Sequence, residues 1–169
     1  MQYFVDTEFI NANGSIDPVS IGIVCETGKE FYAEFEGFDE GRATPWVREN
    51  VLARLTENQR FPRSQIRDQI YGFIAACNED GKPPEFWGDY CAFDFVILSQ
   101  IFGTFDEWPG SWPFFMYDLQ QLQAWTGIGP AVAHRRDEIE HYALHDARLI
   151  KRQYEDIMAQ VQRLEAQYS

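Results

Sequence analysis

Two acidic side chains stand two residues apart near the start of the chain, inside a run that favours a β-strand. Asp6 and Glu8 lie within residues 3–9, which are rich in the aromatic and β-branched residues that fit a pleated sheet. Because side chains alternate between the two faces of a strand, both carboxylates point to the same face, about 6.6 Å apart at roughly 3.3 Å per residue. No Lys or Arg precedes Lys29, so no cation close in sequence neutralises them.

Two like charges on a mostly apolar strand are unfavourable, since each loses water and each raises the free energy of ionising the other. A bound divalent cation removes this penalty. Mg²⁺ takes oxygen ligands and keeps waters that a substrate phosphate can replace. The pair therefore indicates a Mg²⁺ site, and the alternative is a strand end whose acids face solvent.

A third candidate acid lies in residues 88–98, at the start of a predicted helix. Asp94 stands there among apolar residues, and Asp89 is the competing candidate. An acid near a helix N-terminus is also stabilised by the helix macrodipole without any catalytic role. The segment supplies one carboxylate but does not decide its function.

The last helix carries a fourth acid, Asp146, at the edge of its apolar stripe, where an ion pair with Arg148 or Arg152 is the structural alternative. His141 precedes Asp146 by five positions, which is about 140° around an ideal helix. The two side chains converge only if His141 lies at the helix start or in the loop before it. His141 and His145 could instead hold zinc at the i, i+4 spacing, but no cysteine or third histidine is well placed.

The remaining chain supplies the elements that must position these residues. After the first strand, the predicted strands are 19–25, 30–36, 86–90 and 114–117, and the predicted helices are 45–55, 64–77, 93–102, 119–125 and 139–167. Strands in hairpin order followed by helix and strand units predict an α/β fold with a mixed five-stranded sheet, flanking helices and a long C-terminal helix. Sites in such sheets lie at strand ends.

Two features indicate a homodimer. The aromatic loop 103–112 is predicted to expose apolar surface, and the last helix has an apolar stripe that must be buried against the sheet or a partner chain. The alternative is that one chain covers both. The residues of the stripe are Ala143, Ala147, Ile150, Tyr154, Ile157, Val161 and Leu164.

Composition limits the class of protein. The length of 169 residues predicts a single domain over 1–169, and three scattered cysteines without a signal-peptide pattern or an apolar membrane span predict a cytoplasmic protein. The net charge of -13 counts against a nucleic-acid binder that acts by broad basic attraction, although cations bound at an acidic metal site can reverse the local field that a phosphate meets. Local basic clusters are the candidates for phosphate contacts, and solvated helix faces are their alternative role; the residues are Arg60, Arg63, Arg67, Arg135, Arg136, Arg148, Lys151 and Arg152.

Three segments together resemble a known family. They are Asp6-Thr7-Glu8, Phe93-Asp94 followed by Leu98, and His141 with Asp146 inside HYALHDA. They are similar to the three motifs of the DEDDh 3′-to-5′ exonucleases, which have a ribonuclease H-like fold, and they occur in the order of that family. The opening VDTEFI, followed by PVSIGIV, is further similar to the bacterial exoribonuclease AS group, which favours adenylate-containing RNA.

The resemblance implies a metal-dependent exoribonuclease that degrades single-stranded RNA to nucleoside 5′-monophosphates. Asp6, Glu8, Asp94 and Asp146 would hold two Mg²⁺ or Mn²⁺ ions, and His141 would be the general base. Two such ions can activate a water, neutralise the developing charge and stabilise the leaving oxygen. An ordinary histidine can be neutral at pH 7 and accept the proton of the water.

Thr7, Phe9 and Ile10 are the candidate substrate contacts. The two apolar side chains could stack on terminal bases, which grips single strands with little sequence preference, and their alternative role is core packing. The glycine that often follows the first motif in proofreading relatives is absent here.

Two other functions remain open. A DNA exonuclease of the proofreading type would use the same metal chemistry. A non-catalytic interaction module could keep the fold, although the complete set of acids counts against it.

Overall fold

A mixed six-stranded sheet forms the centre of the molecule in this computed structural model, which describes residues 1–12, 14–56, 58–78 and 81–168. The strands are β1 (Gln2–Ala12), β2 (Ser15–Cys25), β3 (Glu30–Phe35), β4 (Arg60–Phe61), β5 (Glu85–Gly88) and β6 (Tyr117–Asp118). Their order is β4-β3-β2-β1-β5-β6. The pairs β1-β2 and β2-β3 are antiparallel, and the other three pairs are parallel.

Helices cover both faces of this sheet. They are α1 (Pro45–Asn50), α2 (Arg63–Cys77), α3 (Ala92–Phe102), α4 (Leu119–Thr126) and α5 (Ala143–Tyr168). The predicted α/β class, flanking helices and long C-terminal helix are confirmed. The sheet has six strands where five were predicted, because β4 has two residues and is too short to give a periodic signal.

Alternation along β1 sorts its side chains between two cores. Tyr3 and Val5 pack in the core that includes residues of α2 and α3, whereas Phe4 packs with Ile150 and Ile157 of α5. Asp6 and Glu8 lie two and four residues after Phe4, so their side chains point to the same face of the sheet as Phe4. The two acids therefore lie on the side of the sheet that α5 covers.

Gly22 brings the start of α5 close to β2. It pairs with Asp6 across the β1-β2 ladder, and a Cβ added at Gly22 would lie 2.4 Å from the main-chain carbonyl carbon of Ala143. No side chain larger than hydrogen fits at that distance. The lack of a side chain at Gly22 therefore allows the first residues of α5 to lie directly against β2, beside the acidic strand.

The predicted helix starts agree with the structure in two cases. Thr44 Oγ1 accepts a hydrogen bond from Val47 N at 3.2 Å, and Asp118 Oδ1 accepts one from Gln120 N at 2.7 Å. The helix after Thr44 ends at Asn50 and continues as a short 3₁₀ turn, Leu52–Arg54. The predicted strand 114–117 shares only Tyr117 with the observed strand β6.

The apolar surface on the C-terminal half differs from the expectation. Trp108 and Trp112 of the aromatic loop are buried in the core, and Phe105 of the same loop is 61% exposed. Most of the stripe of α5 is buried as far as Ile157, with Tyr154 half-buried, but Leu164 is 45% exposed. Within the described residues, no helix combines the length and the apolar character needed to span a bilayer.

Candidate active site

The second half of β1 carries one side of a cleft of about 380 Å³. Asp6, Thr7 and Glu8 all line it, together with Asp94 from the first turn of α3. Thr7 Oγ1 donates a hydrogen bond of 2.6 Å to Asp94 Oδ1, in a buried position. This bond joins β1 to α3 and fixes the Asp94 carboxylate beside the acidic strand.

Asp6 has a buried oxygen that no polar group in the described chain satisfies. Its Oδ2 atom has no hydrogen-bond partner among the described residues. Burial, followed by the charges of Asp94 and Glu8, raises the pKa of Asp6 well above its ordinary value. A cation would stabilise the ionised carboxylate most at a buried oxygen that receives no hydrogen bond.

The neighbouring acids are perturbed in the same direction. Burial, with the charges of Asp146 and Asp94, raises the pKa of Glu8 to about 8. Burial also raises the pKa of Asp94 to about 6, against the opposing effect of its hydrogen bonds from Thr7. Perturbed carboxyls that cluster in one cleft are typical of a functional site.

The start of α5 supplies the other side of the cleft. His141 has a left-handed backbone with φ 62° and precedes α5, whose first turn contains Asp146. Each of Glu8, His141 and Asp146 offers a ligand atom, and these atoms lie within 4.8 Å of one another. The condition for convergence, that His141 stand before the helix, is met.

The zinc alternative has no support in this geometry. His145 Nδ1 accepts a hydrogen bond of 2.8 Å from Ile139 N, which turns this ring toward the preceding loop. In the described part of the chain, the metal-sized cluster pairs His141 with Glu8 and Asp146, not with His145.

Asp146 is paired with a residue that the sequence did not single out. Its Oδ1 atom lies 2.8 Å from Nε2 of His134, which also lines the cleft. The two arginines expected as alternatives are occupied elsewhere, because Arg148 pairs with Glu30 and Arg152 with Glu138. No motif or helical spacing links His134 to Asp146, so sequence reasoning had no signal for this contact.

Aromatic side chains form the rim. Phe9 lines the cleft, and its ring centroid lies 5.2 Å from that of Phe93. The Trp46 ring meets the His141 ring edge to face at 4.8 Å. Asp89 also lines the cleft and accepts a hydrogen bond of 2.7 Å from Gln120 Nε2, so both candidate acids of this segment face the same space.

Ile10 lies outside the cleft. The β1-β2 register shifts between Glu8 and Phe9, and beyond this point Ile10 is 1% exposed in a cluster with Val19 and Val51. The predicted contact between Ile10 and substrate conflicts with this burial, and core packing accounts for the residue.

A family model for the 3′-5′ exoribonuclease Rv2179c-like domain matches residues 1–158. The chain belongs to this family. Two relatives from Mycobacterium tuberculosis are named 3′-5′ exoribonuclease MT2234.1 (strain CDC 1551 / Oshkosh) and 3′-5′ exoribonuclease Rv2179c (strain ATCC 25618 / H37Rv). Each is 38% identical over 151 residues, which cover 88% of this chain and 88% of the relative. Membership in the Rv2179c-like family confirms the predicted enzyme class, a 3′-5′ exoribonuclease.

Proposed function

We propose that the protein is a metal-dependent 3′-to-5′ exoribonuclease that hydrolyses single-stranded RNA to nucleoside 5′-monophosphates. Asp6, Glu8, Asp94 and Asp146 are the proposed metal ligands, and His141 is the proposed general base. One observation carries this assignment: four carboxyls with raised pKa values surround the cleft that His141 also enters. Ionising all four of these clustered carboxyls is unfavourable unless a cation binds among them.

The donors fit Mg²⁺ or Mn²⁺. All four proposed ligands are carboxylates, which suit hard cations, and Asp6 Oδ2 lacks any other partner in the described chain. When bound, two such ions would activate the attacking water, neutralise charge on the phosphate and stabilise the leaving oxygen.

The protein itself orients the acids and provides the base. Thr7 holds Asp94 through its hydroxyl, and the β1 ladder holds Asp6 and Glu8 on one face of the sheet. His141 stands on a left-handed residue before α5, where its ring can accept a proton from a water in the cleft. Trp46 packs against this ring and limits its orientations.

We assign the site to the DEDDh type with a ribonuclease H-like fold, and the substrate preference to adenylate-rich RNA as in the exoribonuclease AS group. Phe9 and Phe93 form an aromatic surface beside the acids that can stack on terminal bases. Thr7 is the remaining proposed substrate contact, because it also lines the cleft.

We further propose that residues 1–169 act as one exonuclease domain, as a homodimer in the cytoplasm. The support for a dimer is apolar surface on α4 and α5, where Trp125 is 87% and Leu164 45% exposed. Sedimentation of the wild type at micromolar concentration should give a dimer, and Trp125→Asp should shift it to a monomer. A monomeric wild type would remove the dimer from the proposal.

The function is tested with a 5′-labelled single-stranded oligoadenylate and a DNA strand of the same sequence, each with Mg²⁺. We expect a ladder that shortens from the 3′ end on RNA only. Asp6→Asn should abolish it and should also abolish the rise in melting temperature that divalent metal gives the wild type. Equal shortening of DNA would favour the proofreading type, and no cleavage with Mg²⁺ or Mn²⁺ would favour a non-catalytic module.

A further inference from the structure

The segment before α5 is fastened to that helix by side chains. We call residues 131–141 the strap. Asp156 Oδ2 accepts a hydrogen bond of 2.8 Å from Ala131 N, and His145 Nδ1 accepts one of 2.8 Å from Ile139 N. These two anchors hold both ends of the strap along α5.

His134 stands between these anchors and faces the cleft. Its Nε2 atom lies 2.8 Å from Asp146 Oδ1, and its Nδ1 atom lies 3.8 Å from Glu138 Oε2. Glu138 in turn accepts hydrogen bonds of 2.8 Å and 2.5 Å from Arg152 and one of 2.8 Å from Arg135 N. The imidazole is thus set between one acid of the cleft and a second acid that the protein has fixed.

We propose that His134 is a positioning residue whose Nε2–H donates to Asp146 Oδ1 and fixes the rotation of this carboxylate before a cation binds. The inference rests on the proposed function, in which Asp146 is a metal ligand. Nε2 lies within hydrogen-bond distance of Asp146 Oδ1, and a proton on Nε2 would let His134 donate to the ionised carboxylate, which can only accept. Groups that hydrogen-bond to a ligating side chain orient it and strengthen metal binding.

The neighbours of Asp146 support this role. Arg148 and Arg152, the nearby arginines on α5, are engaged with Glu30 and Glu138. Neither arginine is therefore available to orient Asp146, whereas His134 is in contact with it.

The test compares two amide variants that differ only in reach. The amide nitrogen of His134→Gln extends to the position of Nε2, whereas His134→Asn reaches only as far as Nδ1. Mn²⁺ binding is measured by calorimetry, and the Mg²⁺ concentration for half-maximal RNA hydrolysis is measured separately. We expect His134→Asn to weaken Mn²⁺ binding about 10-fold or more and His134→Gln to stay within about threefold of the wild type.

Melting temperatures without metal show whether each variant is folded. If His134→Asn does not fold, His134→Phe takes its place, because it keeps the ring and lacks the donor. Wild-type affinity in the donor-free variant would overturn the role of His134, as would an equal loss in His134→Gln and His134→Asn. A wild type that binds no Mn²⁺ and cleaves no RNA would instead overturn the proposed function on which the inference rests.

Discussion

Glu8 makes the metal-free protein sensitive to pH. Burial and the charges of Asp146 and Asp94 raise its pKa from 4.5 to about 8. The folded state then binds this proton more tightly than the unfolded state does. The contribution of Glu8 to the free energy of unfolding is therefore complete below about pH 4.5 and is lost as the pH rises to about 8.

In EDTA we expect the melting temperature of the wild type to fall between about pH 5 and 8 more steeply than that of Glu8→Gln, which keeps the shape without the charge. Thermal melts of the two proteins in matched buffers measure the difference. Saturating Mn²⁺ should remove it, since the cation stabilises the ionised site. Parallel pH curves in EDTA would contradict the assignment of Glu8 as an acid that is unfavourable when ionised.

At the scale of elements, the close approach of α5 to β2 places His141 and Asp146 opposite Asp6 and Glu8. Gly22→Ala puts a Cβ 2.4 Å from the Ala143 carbonyl carbon, so α5 must shift. We expect a loss of about 1 to 3 kcal/mol in the free energy of unfolding, from urea melts. We expect a larger effect on kcat, a fall of about 10-fold or more, because small misplacements of reacting groups are costly.

A glycine in α2 gives the matched control. A Cβ added at Gly72 meets nothing within 4 Å. Gly72→Ala should therefore leave kcat unchanged and raise the free energy of unfolding by up to about 1 kcal/mol, as expected for Gly→Ala in a helix. Unchanged kcat in Gly22→Ala would mean that the position of α5 does not control the site.

The sequence predicted the elements with strong local signals and missed those without them. The two acids of β1, the caps at Thr44 and Asp118 and the stripe of α5 are visible as spacing and residue type. His134 and β4 are not, because a contact across a loop and a two-residue strand leave no periodicity. Both features depend on contacts between residues that are distant in the sequence.

Burial was harder to predict than placement in β1. Phe9 and Ile10 are both apolar residues that follow the acids, so the sequence does not distinguish them. In the structure, the register shifts after Glu8, and Ile10 lies in the core whereas Phe9 lines the cleft. Gly22 carried a usable signal, since a glycine inside an apolar strand often marks a close backbone approach.

The whole molecule is strongly acidic, with a net charge of -13. Three cations of α5 that could have met phosphates are paired within the chain: Arg148 with Glu30, Lys151 with Glu155 and Arg152 with Glu138. With these three cations engaged and the cleft acidic, we expect RNA binding to depend more on the metal site and on aromatic contacts than on release of counterions from phosphates. We expect kcat/KM in saturating Mg²⁺ to change little from about 20 to 200 mM KCl.

The measurement is a series of initial rates across this salt range, with a matched titration of RNA binding in EDTA. A steep fall in log kcat/KM against log salt, with a slope of about -3 or beyond, would indicate several phosphate contacts and contradict the expectation. Tight binding in EDTA would do the same, because the metal-free cleft is acidic.

The central position of β1 has a consequence for how the site opens. β1 is hydrogen-bonded to β2 on one side and to β5 on the other, whereas the strap joins α5 through side chains. Amide protons of the ladder should exchange with solvent only when the whole sheet unfolds, and those of residues 131–141 should exchange through a local opening. Asp6 and Glu8 would then stay in place as long as the protein is folded, whereas His141, the one proposed catalytic residue of the strap, could leave the site and return many times within one folded lifetime.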